Sequence, residues 1–117
     1  MGPDGGSIVN IGSMPAPQAA AYSASKAAVN AITVSLSQEL GPRKIRVNSL
    51  NPGVVETEGL RASGLHDGEF REQQEKTTPL GRIATPEDIA LAATFLASGD
   101  ARWITGQVIV AAGGKRM

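Results

Sequence analysis

The chain has 117 residues, a length typical of one domain, and eleven Lys and Arg residues balance eleven Asp and Glu residues. A neutral chain has no net field to attract a nucleic acid or an anionic membrane, so neither partner is expected. Cysteine is absent, which excludes disulfide scaffolds, thiol nucleophiles and cysteine-ligated metals. No apolar stretch is long enough to span a bilayer and no signal-peptide pattern is present, so a cytoplasmic location is expected.

The first half of the chain predicts a strand, a long helix and a second strand. Residues 7–12 are rich in β-branched side chains and lie between glycine and proline, which predicts a strand. Residues 18–40 contain neither glycine nor proline, and Gly41 followed by a proline predicts that this helix ends there. Residues 45–51 are again β-branched and stop at a Pro-Gly pair, which predicts the second strand.

The second half predicts an irregular segment, a capped helix and a third strand. Residues 56–76 are polar and contain several glycines, so a mobile excursion with one short helix is expected. Thr85, followed by proline and two acids, predicts the start of a helix that runs to about Ala97. Residues 107–111 lie between glycines and predict the last strand. This order of elements predicts an α/β fold, a parallel sheet with right-handed crossovers and helices packed on it.

Tyr22 and Lys26 stand four residues apart on the long predicted helix, so their side chains emerge on the same face. A lysine ammonium one turn away favours the ionised form of a phenol. Tyr22 is therefore a candidate general acid/base that exchanges a proton with an alcohol or carbonyl oxygen. The spacing alone is weak support, because it also occurs by chance on solvated helices.

Two further stretches are predicted to lie at the same edge of the sheet. Ser13 follows the first predicted strand, and residues 51–53 (Asn-Pro-Gly) follow the second. In an open parallel sheet, ligands bind beyond the carboxyl ends of the strands. Tyr22 lies in the first turns of the helix above that edge. The three stretches therefore predict one crevice that handles a substrate oxygen.

These residues, in this order, resemble the carboxyl-terminal half of a short-chain dehydrogenase/reductase. The resemblance is carried by residues 11–13, the YxxxK motif of residues 22–26, residues 45–53, Thr57, and residues 79–82, 86–90, 105–107 and 113–114. It implies that residues 1–117 form one partial, Rossmann-like domain, the second half of a doubly wound sheet whose amino-terminal half is missing. Within the family the chain resembles the glucose-dehydrogenase and 3-oxoacyl-carrier-protein-reductase types.

The resemblance implies an NAD(P)-dependent oxidoreductase that interconverts a carbonyl and an alcohol by hydride transfer. It implies Tyr22 as proton donor or acceptor, and Lys26 as the residue that favours the ionised phenol and holds the nicotinamide ribose. It implies that Ser13 orients the substrate oxygen, although the loop between Ser13 and Tyr22 is shorter than in the family and is expected to displace it. The implied partners are a small carbonyl or alcohol substrate and further copies of the chain, as a dimer or tetramer.

The same resemblance implies where the cofactor lies. Pro52, Gly53 and the backbone of Val55 flank the nicotinamide ring and its carboxamide, with the hydroxyl of Thr57 nearby. NAD and NADP both stay open, because the discriminating acid or arginine belongs to the missing half.

A second interpretation stays open, a truncated, non-catalytic fragment that acts at most as a self-association or interaction module. It is favoured for the chain alone because no glycine-rich phosphate turn precedes a helix in the sequence. Such a chain is expected to bind a dinucleotide weakly and to self-associate through an unpaired strand edge.

No metal site is expected. His66 is the only histidine and stands on the glycine-containing segment, where a solvated loop residue is the simplest interpretation. The acids of that segment lack the turn-like spacing of an oxygen-ligand loop; they are Glu56, Glu58, Glu69, Glu72 and Glu75. Trp103, before the last strand, is expected to pack rather than to contact a ligand.

Overall fold

Three parallel strands form one sheet in the computed structural model, which describes residues 1–64 and 67–116. The strands are β1 (Gly6–Ile11), β2 (Ile45–Pro52) and β3 (Val108–Ala111), in the order β1-β2-β3. The register places Ile11 of β1 beside Leu50 of β2. The predicted strands and the parallel α/β class are confirmed, with strand ends displaced by one residue.

The long helix α1 (Ala20–Leu40) ends where the sequence predicts but begins later. It begins two residues late because Gln18 has a φ of 60°, which a right-handed helix does not permit. Gly41 ends the helix as expected, and in a right-handed conformation it opens a 3-10 turn, Gly41–Arg43. Lys44 takes the left-handed conformation instead, with a φ of 60°.

β2 is the buried centre of the sheet. Its interior residues are almost fully covered, as expected for a parallel strand with neighbours on both sides. The buried Asn48 donates from Nδ2 to the carbonyl of Ile104, 3.0 Å away, and accepts at Oδ1 from the N–H of Gln107 at 3.1 Å. These bonds satisfy the amide and attach the chain before β3 to β2.

The segment after β2 contains two short helices rather than the single one expected. They are α2 (Glu58–Ala62) and α3 (Gly68–Thr77), followed by the predicted helix α4 (Pro86–Ala97). The Asp67 side chain accepts from the N–H of Gly68 at the start of α3, 2.8 Å away. The predicted cap of α4 at Thr85 is confirmed.

α1 and α4 cover opposite faces of the sheet. Asn10 of β1 and Ser49 of β2 contact side chains of α1. Ser7 and Arg46, which have the opposite parity along their strands, donate to the carbonyl of Leu96 at 3.3 and 2.8 Å. Because successive side chains of a strand point to opposite faces, the two helices sandwich the sheet.

Several apolar side chains lie on the surface. Trp103 is 96% exposed, so the expectation that it packs is wrong for the described residues. Other exposed apolar side chains are Ile32 and Val34 on α1, Leu91 and Phe95 on α4, and Val108 and Val110 on β3. No helix in the described part of the chain is long and apolar enough to cross a membrane.

Candidate active site

The carboxyl ends of β1 and β2 lie side by side, as the sequence predicted. The N–H of Gly12 donates to the carbonyl of Leu50 over 2.9 Å. Gly12 is buried, and a Cβ added there would collide with the Oδ1 atoms of Asn30 and Asn51. The close approach requires glycine and leaves Ser13 as the next residue along this edge.

The structure brings Tyr22 and Lys26 together beside the end of β1. The Nζ of Lys26 lies 6.0 Å from the centroid of the Tyr22 ring, at the outer limit of a cation–π contact. The same Nζ donates to the carbonyl of Ile11, 3.1 Å away. Tyr22 is 49% exposed. One ammonium thus joins the first turns of α1 to the strand end, with the phenol open to solvent.

Ser13 does not share a hydrogen bond with either of these residues in the described part of the chain. Its Oγ donates to the carbonyl of the next residue, Met14, at 2.9 Å. The loop is tied to α1 by Ser23, whose Oγ accepts from the N–H of Ala16 at 2.8 Å and donates to its carbonyl at 3.2 Å. A substrate oxygen would have to replace the Met14 bond to engage the Ser13 hydroxyl.

Val55 lies beyond the end of β2 in a single parallel bridge with Ala84. The N–H of Glu56 donates to the carbonyl of Ala84 at 2.8 Å, and the N–H of Ala84 donates to the carbonyl of Val54 at 3.0 Å. In this pairing Val55 uses neither of its own peptide groups. Its N–H and C=O have no hydrogen-bond partner within residues 1–64 and 67–116, so the half-buried Val55 offers one donor and one acceptor.

The predicted cofactor residues on either side of Val55 are held by other elements. After Pro52 ends β2, the N–H of Gly53 donates to the carbonyl of Ala111 at 3.1 Å. A Cβ at Gly53 would lie 2.8 Å from the Cβ of Ala112, so only glycine fits against β3. Thr57 caps α2, where its Oγ1 accepts from the N–H of Leu60 at 3.1 Å. The hydroxyl hydrogen of Thr57 remains able to donate.

A polar stripe on α1 continues from the Tyr22–Lys26 pair and was missed from the sequence; its members are Lys26, Asn30, Thr33 and Ser37. Asn30 accepts at Oδ1 from the Ser49 hydroxyl, 2.7 Å away. Thr33 Oγ1 accepts from Asn10 Nδ2 at 3.0 Å. Thr33 and Ser37 are the buried residues of α1. The steps of three and four residues that continue from Tyr22 were the signal that could have revealed the stripe.

A second feature missed from the sequence is the ion pair of Arg82 with Asp88, at 2.5 Å. The Arg82 guanidinium, together with the N–H of Thr85, holds the pKa of the Asp88 carboxyl well below its usual range. The sequence showed the acids of the first turn of α4 but not their partner.

Two acids of the segment after β2, Glu56 and Glu75, pair with arginines. The Glu56 carboxylate lies 3.3 Å from Arg71 and 3.7 Å from Arg61. Among the described residues no group of three or more His, Asp or Glu side chains is placed to hold a metal ion. His66 lies outside the described residues.

The fold and this site match a known protein family. A family model described as enoyl-(acyl carrier protein) reductase matches residues 1–116. The chain therefore belongs to the short-chain dehydrogenase/reductase family, which confirms the resemblance seen in the sequence.

The curated relatives named here are an oxidoreductase and a reductase. An uncharacterized oxidoreductase of Methylorubrum extorquens is 50% identical, covering 97% of this chain and 47% of its own length. The 3-oxoacyl-acyl-carrier-protein reductase of Chlamydia muridarum is 42% identical, covering 93% of this chain and 44% of its own length. The chain thus spans slightly less than half the length of these relatives.

Solved structures share the fold closely. The hydroxysteroid dehydrogenase of Escherichia coli superposes with a TM-score of 0.88 at 35% identity, over 97% of this chain and 47% of its own. A 7α-hydroxysteroid dehydrogenase with NADH and 7-oxo glycochenodeoxycholic acid has a TM-score of 0.86 at 35% identity. The match covers 96% of this chain and 45% of that dehydrogenase. The angucycline C-6 ketoreductase LanV with bound NADP has a TM-score of 0.84 at 40% identity. The match covers 96% of this chain and 44% of LanV. The alternative of a non-catalytic module is not favoured by these comparisons.

Proposed function

We propose that this chain supplies the proton-transfer and nicotinamide side of an NAD(P)-dependent oxidoreductase that interconverts a carbonyl and an alcohol. The observation that carries the proposal is one sheet edge that holds Tyr22, Lys26 and the two peptide groups of Val55, which have no partner among the described residues. Membership of the family supports it. The related structures with NADH and with NADP support a nicotinamide cofactor and leave both forms open.

Tyr22 is the proposed general acid/base. During reduction its phenol donates a proton to the carbonyl oxygen, and during oxidation its phenolate accepts one from the alcohol. The ammonium of Lys26 lies one turn away, 6.0 Å from the centroid of the Tyr22 ring. When bound, the nicotinamide supplies or accepts the hydride. The Ser13 hydroxyl, which donates to the carbonyl of Met14, is given only a minor part in orienting the substrate oxygen.

The loop after β2 fits a nicotinamide carboxamide. A carboxamide presents N–H donors and a carbonyl acceptor, and Val55 presents the complementary C=O and N–H. The Thr57 hydroxyl, whose oxygen accepts from the N–H of Leu60, could add a second donor, and Pro52 and Gly53 would lie beside the ring. Lys26 would exchange the Ile11 carbonyl for the hydroxyls of the ribose. The part of the relatives that this chain does not cover is the proposed location of the pyrophosphate and adenosine contacts.

The proposal is tested by Tyr22→Phe in an assay of the proposed oxidoreductase activity. Loss of the proton relay is expected to lower kcat by about two to four orders of magnitude with NADH or NADPH and a small carbonyl. Trp103→Phe is the matched control, because it changes an exposed aromatic residue far from the strand ends that form the site. Turnover that is equal in wild type and Tyr22→Phe would show that this phenol is not the acid/base.

Self-association and a cytoplasmic location are further proposals. The outer edges of β1 and β3 have no strand partner among the described residues, and apolar side chains on α4 and β3 are exposed. A second copy of the chain would cover these surfaces. Light scattering is expected to show a dimer or tetramer, and a stable monomer across a wide concentration range would refute this proposal.

A further inference from the structure

A clamp formed by Arg82, Thr85 and Asp88, named here the 82–88 clamp, closes the start of α4. The Arg82 guanidinium meets the Asp88 carboxylate through two bonds, 2.5 Å from Nη1 to Oδ2 and 3.1 Å from Nη2 to Oδ1. Asp88 Oδ2 also accepts from the N–H of Thr85 at 2.8 Å, and Thr85 Oγ1 accepts from the N–H of Asp88 at 3.3 Å. Bidentate charge-assisted bonds fix geometry, so the clamp gives residues 82–88 a defined shape.

The residues enclosed by the clamp contact the loop after β2. Ile83 is buried, and Arg82 Nη1 donates to its carbonyl at 3.3 Å. The next residue, Ala84, makes both hydrogen bonds of the bridge that contains Val55. The orientation of the Val55 peptide groups therefore depends on where the clamp holds Ala84.

We propose that the 82–88 clamp is a positioning device for the loop that receives the nicotinamide. Arg82 and Asp88 act through Ala84 on Val55 and do not themselves contact the cofactor. The identity of the ligand at Val55 rests on the proposed function. The coupling of the clamp to the loop, in contrast, depends only on contacts within this chain and not on the identity of the ligand.

A mainly local role is the competing explanation. The bonds to Asp88 also cap α4, so removing them could destabilise that helix and nothing else. The two roles differ in what they move. A capping role changes the first turn of α4, whereas a positioning role also changes the N–H groups of Glu56 and Ala84, which form the bridge.

The mechanical step is tested by amide hydrogen exchange, followed by NMR on this 117-residue chain. In Arg82→Gln the amides of Glu56 and Ala84 are expected to exchange at least tenfold faster, while the amide of Leu50 in the buried β2 keeps its protection. Arg82→Lys, which keeps the charge, is expected to restore part of the protection. Arg43→Ala, at an exposed arginine in the turn after α1, is the control and is expected to change neither amide.

The ligand step uses nicotinamide mononucleotide as the probe. The wild-type chain is expected to show shifts at Val55 and Thr57 on titration. Arg82→Gln is expected to weaken this binding several-fold, with partial rescue by Arg82→Lys. A purely structural role at the start of α4 would leave the affinity of the folded chain unchanged.

The outcomes separate the two proposals. Unchanged amide exchange at Glu56 and Ala84 in both Arg82→Gln and Asp88→Asn would overturn the proposed positioning role of the clamp, whether or not nicotinamide mononucleotide binds. Accelerated exchange in a chain that binds no nicotinamide mononucleotide would support the mechanical coupling and would refute the placement of the nicotinamide at Val55. Loss of protection at Leu50 would show that Arg82→Gln unfolds, and Arg82→Lys would then be the deciding variant. Its clamp bonds are weakened, so unchanged exchange at Glu56 and Ala84 in Arg82→Lys would also overturn the proposed coupling.

Discussion

The two sides of the candidate site are held in different ways. On the α1 side, Tyr22 and Lys26 are positioned by side-chain contacts, and Lys26 has a single hydrogen bond to a strand carbonyl. On the side of the loop after β2, the peptide groups around Gly53 and Glu56 bond to β3 and to Ala84. A side-chain hydrogen bond on a half-exposed surface is easily replaced by a bond to water or to a ligand. Backbone pairing, in contrast, fixes the position of the loop.

This contrast separates chemistry from placement. Changes on the α1 side should alter proton transfer and cofactor affinity while the fold persists. Substitutions at the packed strand ends or next to the loop after β2 should mainly alter the stability of the fold or the position of the loop, rather than proton transfer. The predictions below test this division.

The largest expected effect of these changes is that of Lys26→Met. A hydrogen bond to a charged group contributes about 1.5–3 kcal/mol, so its loss should raise the cofactor KM of the proposed oxidoreductase activity roughly ten- to hundredfold. The folded state should be little affected, because Lys26 makes one exposed bond to Ile11. Steady-state kinetics and thermal unfolding measure the two effects. Lys76→Met, at an exposed lysine on α3, is the control, and equal KM values in the two variants would contradict the role of Lys26.

Gly12→Ala should act on stability. The added methyl would collide with Asn30 and Asn51, and such overpacking typically costs about 1–3 kcal/mol of unfolding free energy. Gly41→Ala is the matched control, because Gly41 has a right-handed φ of −52° and open space around it. That control should be neutral or slightly stabilising. Denaturant unfolding compares them, and equal midpoints would show that the strand ends are not closely packed.

Asp88→Asn should change how stability depends on pH. Because the folded-state pKa of Asp88 is depressed, the ionised carboxylate stabilises the fold above the unfolded pKa of about 3.9. This contribution is lost as the pH falls below about 4 and through the folded-state pKa. Wild type should therefore exceed Asp88→Asn in stability near neutral pH, with the difference shrinking in acid. Urea midpoints over a pH series measure it, and a difference that stays constant with pH would contradict the ion pair.

Ser13→Ala should have the smallest effect of these variants. The Ser13 hydroxyl already donates to Met14, so little of its hydrogen bonding is directed at a substrate. We expect kcat to fall far less than in Tyr22→Phe. A comparable fall in both would show that the serine turns toward the substrate during turnover.

Local patterns predicted much of this fold. The strands of residues 45–51 and 107–111 follow from β-branched runs between glycines and prolines, and Thr85 marks the start of α4 through its cap. That Tyr22 and Lys26 lie next to each other follows from their helical spacing. These features depend on residues that are close together in the chain, so they can be predicted from the sequence.

Other features depend on residues that are far apart in the chain. The bridge of Val55 with Ala84 joins two loops, and no local pattern marks either partner. The polar helix α3 lacks an apolar period and is recognised by its Asp67 cap only once the fold is known. The left-handed conformation of Lys44 after the 3-10 turn has no local signal either, because a lysine rarely adopts a positive φ.

The chain contains one tyrosine and one tryptophan, and they lie at opposite ends of the parallel strands. Tyr22 stands beside the carboxyl end of β1, whereas the exposed Trp103 lies with Gly6 and Ile45 at the strand starts. Ultraviolet absorption by the phenolate therefore reports events at the candidate site alone. Indole fluorescence reports the solvent at the other end, and its emission would shift to the blue if another subunit covered that surface. Ligand binding and assembly can thus be followed separately, in one sample and without a label.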